Sequence, residues 1–240
     1  MNIKVLEYIK FLEFSFINKV NSPSQLSQDL FALYFSKIKK DGTFIEIGAC
    51  DGIKLSNTYK LEQYGWSGLI CEPSPYWHKK MKNRNCIISK NAVFGESGIK
   101  LKFEDVEKNP DLSGLSNFFE KDVNSKFRKD TKITEVETIT LNDLLKINIP
   151  TKKIDYISID TEGSEYEIIK NFDFEKYDVE IFTIEHNFIE QKRNKIFELM
   201  TSKNYIRIFQ NLSKWDDWYV KKDNQVLSLV FFIVLTFLPF

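Results

Sequence analysis

The alternation of apolar and polar positions begins helical and then turns to strands spaced by helices. Residues 3–17 set Ile9, Leu12 and Phe16 on one helical face, and 24–38 read as a second helix opened by Ser24. Residues 43–47 form a short apolar strand, 53–64 a helix, 68–71 a strand and 75–82 a helix. Residues 86–89 with 92–94 read as a further strand, and a hairpin-like pair around the "GESG" of 95–98 leads to 100–103. From 104 to 134 the chain is polar, with Pro110 and Gly114 and no clear period, as expected of a surface excursion that touches substrate. Strand 136–140, helix 141–147, the buried strand "KIDYISID" of 153–160 and helix 164–171 follow. Strand 179–187 and helix 190–202 come next, and 205–209 with 215–220 read as a closing antiparallel pair.

This order predicts an α/β fold, a mostly parallel sheet flanked by helices. Ligands in such sheets gather at the carboxyl ends of strands, which directs attention to four places. "TFIEIGACDG" (43–52) carries Glu46 inside an apolar run, then Gly48 and Gly52 around a small loop. That G-x-x-x-G spacing lacks the central glycine of the dinucleotide fingerprint, and Cys50 stands in its place. "LICEPSP" (69–75) sets Glu72 24 residues after Gly48, close to the acid that grips a ribose in nucleotide-binding units. "SIDTEGSE" (158–165) sets Asp160 and Glu162 before a glycine turn, and "IEHN" (184–187) brings Glu185 and His186 to the next strand end. Singly, each has a plain explanation: a packing turn, a solvated loop charge, an acidic helix cap or a satisfied histidine. Their joint placement on successive strand ends favours a cofactor site.

Composition narrows the choice. With 42% hydrophobic and 15% aromatic residues in 240, the chain can bury a large core. Thirty-four basic and 34 acidic side chains leave no global charge to draw it to nucleic acid, so no nucleic-acid partner is expected. Cys50, Cys71 and Cys86 form no close pair and, with His78 and His186, no zinc spacing; three reduced thiols predict a cytoplasmic setting. Lys4, Glu7, Lys10 and Glu13 break any signal-peptide run. Residues 226–240 are almost wholly apolar but shorter than the ~20 a spanning helix needs. They could be a buried terminal element, a weak membrane anchor, or the product of a reading-frame change.

"FIEIGACDG", "LICEPSP", "VETITLNDLL" and "IDYISIDTEGSEYEIIKNF", in that order, resemble the FkbM family of S-adenosylmethionine-dependent methyltransferases over roughly residues 40–190. "DTEGSE" is the most specific piece, and "EHN" with "WDDWYV" fits one bacterial branch. The resemblance implies a class I methyltransferase (Rossmann-like) fold with a seven-stranded sheet whose last strand is antiparallel. It would occupy 39–222, leaving 1–38 as an N-terminal helical extension and 223–240 as an apolar tail. It implies S-adenosyl-L-methionine as cofactor and O-methylation of a sugar or glycan-type acceptor. By the same resemblance Glu46, Gly48, Asp51 and Gly52 face the methionine part, and Glu72 takes the ribose hydroxyls. Asn91 and Ala92 lie near the adenine, and Asp160 and Glu162 beside the transferred methyl. Many relatives read "KIDVEG" there; this chain has Ser158 where they carry the lysine.

A sugar hydroxyl is a poor nucleophile, which calls for a base. Asp160 and His186 are the expected pair, with Glu162 in support. The other scheme is a divalent cation held by Asp160, Glu162 and Glu185, which would lower the hydroxyl pKa directly. Phe118, Phe119, Tyr76 and Trp77 are candidate sugar-stacking rings, and 113–119 the candidate acceptor loop. Two rival functions belong to other classes: an NAD-dependent oxidoreductase, which Cys50 at the pyrophosphate approach counts against, and a non-catalytic binding module on the same fold.

Overall fold

The computed structural model describes residues 3–118 and 123–224, so Phe119 and the apolar stretch 226–240 lie outside the described residues. The chain opens with helices α1 (Ile3–Asn18) and α2 (Gln28–Phe35). Strand β1 (Thr43–Ile47), α3 (Tyr59–Gln63), β2 (Ser67–Cys71), α4 (His78–Met81) and β3 (Ile87–Ser89) follow. Then come β4 (Ala92–Val93), β5 (Lys100–Val106), β6 (Gly114–Leu115), β7 (Thr131–Ile139) and α5 (Leu141–Asn148). The last part is β8 (Lys153–Ile159), α6 (Glu165–Lys170), β9 (Asp178–Glu185), α7 (Glu190–Ser202), β10 (Tyr205–Ile208), α8 (Gln210–Ser213) and β11 (Asp216–Lys221).

Seven strands form the main sheet in the order β10-β11-β9-β8-β1-β2-β3. All neighbours from β9 to β3 are parallel, and β11 runs antiparallel to both β9 and β10. The chain leaves β1 outward to β2 and β3, then returns to β8 on the other side of β1. That reversal opens a crevice beyond the carboxyl ends of β1 and β8.

Alternating side chains bury both faces of this sheet. Ile45, Ile47, Leu69, Ile157 and Ile159 pack against Leu144 and Leu145 of α5, Ile168 and Ile169 of α6, and Ile196 of α7. Phe44, Ile70, Tyr156 and Trp218 face the other way, onto Phe11 of α1, Phe31 of α2, Leu61 of α3 and Met81 of α4. Phe11 stacks on Phe209 at 5.0 Å between ring centroids and meets Trp218 edge-on at 6.0 Å. The N-terminal helices, set apart in sequence as an extension, therefore share the core of the sheet. Among the described residues no helix is long and apolar enough to cross a membrane, and the three cysteines are free.

The structure departs from the sequence pattern in several places, among them the strand read over 86–89 with 92–94, whose halves β3 and β4 join different sheets. The second helix begins at Gln28, not at 24: Ser22 and Ser24 donate to the Asp29 carboxylate (Ser24 at 2.6 Å), so Ser24 braces a turn rather than capping. The helix expected over 53–64 shrinks to α3, because the Glu46 carboxylate captures the donors of Ser56, Asn57 and Thr58 and holds 48–58 as a loop. The hairpin expected around 95–98 is not one. β4 and β5 both pair with β7, giving a second sheet ordered β4-β7-β5-β6. Phe103, Leu115 and Val136 fill its own small core, with Phe94 and Phe118 against it.

Candidate active site

The loop after β1 is shaped from within. Gly48 has φ +84°, and a Cβ there would stand 1.6 Å from the Asp160 carbonyl oxygen. Only glycine lets the ends of β1 and β8 come this close. Ile47 O accepts from Asp160 N at 2.9 Å, and Cys71 O accepts from Gly48 N and Ala49 N at 3.0 and 3.1 Å. The three strand ends are thereby laced together.

Beneath the loop, Glu46 is buried and accepts from Ser56 Oγ, Asn57 N and Thr58 Oγ1 at 2.8, 2.6 and 2.6 Å. Burial raises its pKa, and the Arg84 guanidinium 3.5 Å away opposes that rise. Arg84 also donates to Gly52 O at 2.7 Å, Thr58 Oγ1 at 3.1 Å and Glu62 at 3.0 Å. Sequence inspection did not single out Arg84; a surface-looking "KNRN" run offered no sign that the guanidinium turns inward.

A cavity of about 520 Å³ lies over the carboxyl ends of β1, β8 and β9. Glu46, Gly48, Glu72, Asp160, Glu162 and Glu185 all line it. Asp51 and Gly52 do not. Asp51 accepts from Ile53 N and Lys54 N at 2.8 and 2.7 Å, and Gly52 backs onto the Arg84 stem, so both shape the loop from behind. Glu72 ends β2 and accepts from Cys50 N and Ser74 N, both at 2.9 Å. Burial pushes its carboxyl up to about 7. A smaller cleft of about 30 Å³ adjoins on the far side of Glu72, lined by Asn91, Ala92, Phe103 and Leu115. Glu72 and Gly48 belong to both spaces.

Three acids meet on the cavity floor. One carboxylate oxygen each from Asp160, Glu162 and Glu185 lies within 4.8 Å of the others. Burial together with the Asp216 and Glu165 charges lifts Asp160 to about 8. Burial and Asp160 lift Glu162 to about 8 against the pull of Arg128. Burial, then Asp160 and Glu162, raise Glu185 well above the usual carboxylate range. Glu162 sits at φ +56°, is ion-paired with Arg128, and accepts from Asn187 Nδ2 at 3.1 Å. Glu165 behind them accepts from Lys192 Nζ at 2.8 Å; burial would raise it, but Lys192 and the Gly163 amide hold it below its usual value. Arg128 and Lys192 went unmarked in the sequence, since each comes from a distant segment, while Asn187 stood within "IEHN" without a role of its own.

His186 takes a different place from the one expected. It does not line the cavity. Its Nδ1 accepts from Phe188 N at 3.0 Å, which leaves the proton on Nε2, and that N–H donates to Asp216 O at 3.1 Å. Burial lowers its pKa to about 4. Both nitrogens are spent on the backbone, so the imidazole pins the turn after β9 and has no lone pair to offer an acceptor.

The polar excursion does reach the site. Asn109, Asp111, Ser113, Asn124 and Phe127 form the outer cavity wall. Phe118 packs in the second-sheet core, while Tyr76 and Trp77 contact each other at 4.6 Å. None of these three lines the cavity, whose aromatic residues are Phe127, Phe188 and Trp215.

The profile of the methyltransferase FkbM domain matches residues 46–215, well over half the chain. This chain belongs to the FkbM methyltransferase family. It is an S-adenosylmethionine-dependent methyltransferase, and the seven-stranded sheet with its antiparallel β11 is the class I architecture expected of one. No curated protein matches it. Among solved structures, it is similar to precorrin-6y C5,15-methyltransferase from Geobacter metallireducens GS-15, at 9% identity and a TM-score of 0.43, over 80% of this chain and 85% of that one. TrmK of M. capricolum with S-adenosyl-homocysteine is similar at 13% identity and 0.38, over 81% and 68%. The fibrillarin/Nop5p complex is similar at 12% and 0.39, over 79% and 78%.

Proposed function

We propose that this FkbM-family enzyme transfers the methyl group to a hydroxyl of a sugar or glycan-type acceptor. The observation that carries the reading is the trio Asp160, Glu162 and Glu185 on the cavity floor, since a hydroxyl must lose a proton to attack carbon. When bound, S-adenosylmethionine supplies a methyl group already attached to an excellent leaving group. The chain's own task is then alignment, proton removal and exclusion of water.

The residues fit that cofactor. A Cβ at position 48 would fill the space between two strand ends, and the carboxylate of Glu72 sits where two spaces meet. Glu72 would accept from the ribose hydroxyls, with Gly48 and Ala49 against the methionine side and Asn91 and Ala92 beside the adenine. Asp160 is the group assigned to take the acceptor proton, since it lines the cavity at the end of β8 beside Glu162 and Glu185. Glu162, held by Arg128 and Asn187, orients the acceptor. The outer wall of two amides, a carboxylate, a hydroxyl and Phe127 suits a polyhydroxylated ligand with a flat apolar face.

A panel of nucleotide sugars and glycans with methyl-labelled cofactor tests this. Label should enter a hydroxylated acceptor, and Asp160→Asn should lower kcat by about 10²–10⁴-fold while leaving S-adenosylhomocysteine binding in place. Transfer only to amines, or full kcat in Asp160→Asn, would reject it.

A further inference from the structure

We propose that Asp160, Glu162 and Glu185 form a site for one hard divalent cation of the Mg²⁺ or Mn²⁺ class, on which the acceptor hydroxyl is held; this rests on the hydroxyl-methylating reading above. The three carboxylates come from two adjacent strand ends, and one oxygen of each lies within 4.8 Å of the others. Oxygens bound at ~2.0–2.1 Å on opposite sides of Mg²⁺ are about 4.2 Å apart, and oxygens around the larger Ca²⁺ span about 5 Å. All three oxygens thus lie within reach of one cation, and side-chain rotation would bring them to its ligand distances.

A second observation points into the same space. Glu185 is only 3% exposed and lines the cavity, yet its Oε2 has no hydrogen-bond partner. A buried carboxylate oxygen without a donor is costly, and Glu185 stands in a group with two more carboxylates. Glu165, by contrast, is fully engaged by Thr161 N, Gly163 N and Lys192 Nζ at 2.9, 3.0 and 2.8 Å. All three ligands are carboxylate oxygens, the set that suits Mg²⁺, Mn²⁺ or Ca²⁺ over softer metals. Asn187 Nδ2 and Arg128 fix the Glu162 carboxylate from behind, as partners outside a metal's ligand shell do.

Titration of the chelator-treated full chain with Mn²⁺, followed by electron paramagnetic resonance with S-adenosylhomocysteine present, tests the site. One Mn²⁺ should bind, and Mg²⁺ should displace it. Glu185→Gln should weaken Mn²⁺ by more than about tenfold, the least expected when a direct ligand rather than a supporting residue is lost. Unchanged S-adenosylhomocysteine affinity and urea midpoint in Glu185→Gln would show that the variant is folded. Glu175→Gln, an exposed acid elsewhere, should leave Mn²⁺ binding as it was. No saturable Mn²⁺, or Mn²⁺ binding untouched by Glu185→Gln, would overturn the proposal, as would methyl transfer undiminished after chelation. That last outcome would leave the hydroxyl-methylating function standing. Mn²⁺ binding without any hydroxylated acceptor would do the reverse.

Discussion

Arg84→Met removes the cation that lets Glu46 sit beneath the cofactor loop. Both side chains are buried and the guanidinium is 3.5 Å from the carboxylate. At an effective dielectric constant of about 20 a pair at that distance is worth about 5 kcal/mol, and breaking a buried pair from one side typically costs about 3–5 kcal/mol. Lost bonds to Gly52 O and Thr58 Oγ1 add to the loss. Against a usual total of about 5–15 kcal/mol, the variant should be severely destabilised. The sign with pH is fixed. Burial already holds the folded Glu46 pKa above its unfolded value. Without Arg84 it rises further, so the native state keeps a proton that the unfolded chain has released. The penalty should therefore be smallest near pH 5 and grow toward neutrality. Urea denaturation at several pH values would measure it. Adding Glu46→Gln to Arg84→Met should restore part of the stability and flatten the pH dependence. A loss below about 1 kcal/mol in the single variant, or no recovery in the double, would refute the reasoning.

Glu72→Ala should weaken S-adenosylhomocysteine by about 10–100-fold, as loss of charge-assisted bonds at ~1.5–3 kcal/mol implies. In the native chain, calorimetry should show affinity rising as pH passes about 7 and Glu72 ionises, a rise absent in Glu72→Gln. Gly48→Ala should abolish cofactor binding, because its Cβ would meet the Asp160 carbonyl at 1.6 Å; unchanged affinity would contradict the close approach. His186 should remain neutral, with its proton on Nε2, down to about pH 5, as ¹⁵N NMR would report. Its folded pKa lies below the unfolded value, so it should remove stability as pH falls from about 6.5 toward 4.

Much of the sheet was legible because alternate apolar residues and glycine or acidic strand ends leave a local signature. β1, β2, β8, β9, α7 and the closing pair β10 and β11 lie within a residue or two of their expected bounds. What was not legible depends on contacts between distant segments. Nothing local says that Glu46 would draw in Ser56, Asn57 and Thr58 and unmake the first turns of a helix. Nor does the 104–134 run announce that β7 would lie between β4 and β5. In the site, the acids showed as unlikely residues at strand ends, but their cationic partners Arg84, Arg128 and Lys192 looked like ordinary surface residues, and Asn187 stood within "IEHN" without a role. His186 had the right pKa class for a base. Only its hydrogen bonds to the turn after β9 reveal that the lone pair is taken.

The most direct test follows a ¹³C-labelled methyl group from cofactor to product. NMR of the product should find that carbon bonded to oxygen, on a hydroxyl of a sugar-type acceptor, with the signal lost in Asp160→Asn. A methyl group on nitrogen or carbon, or an ether signal of full strength in Asp160→Asn, would contradict the assignment of the carboxylate floor to hydroxyl activation.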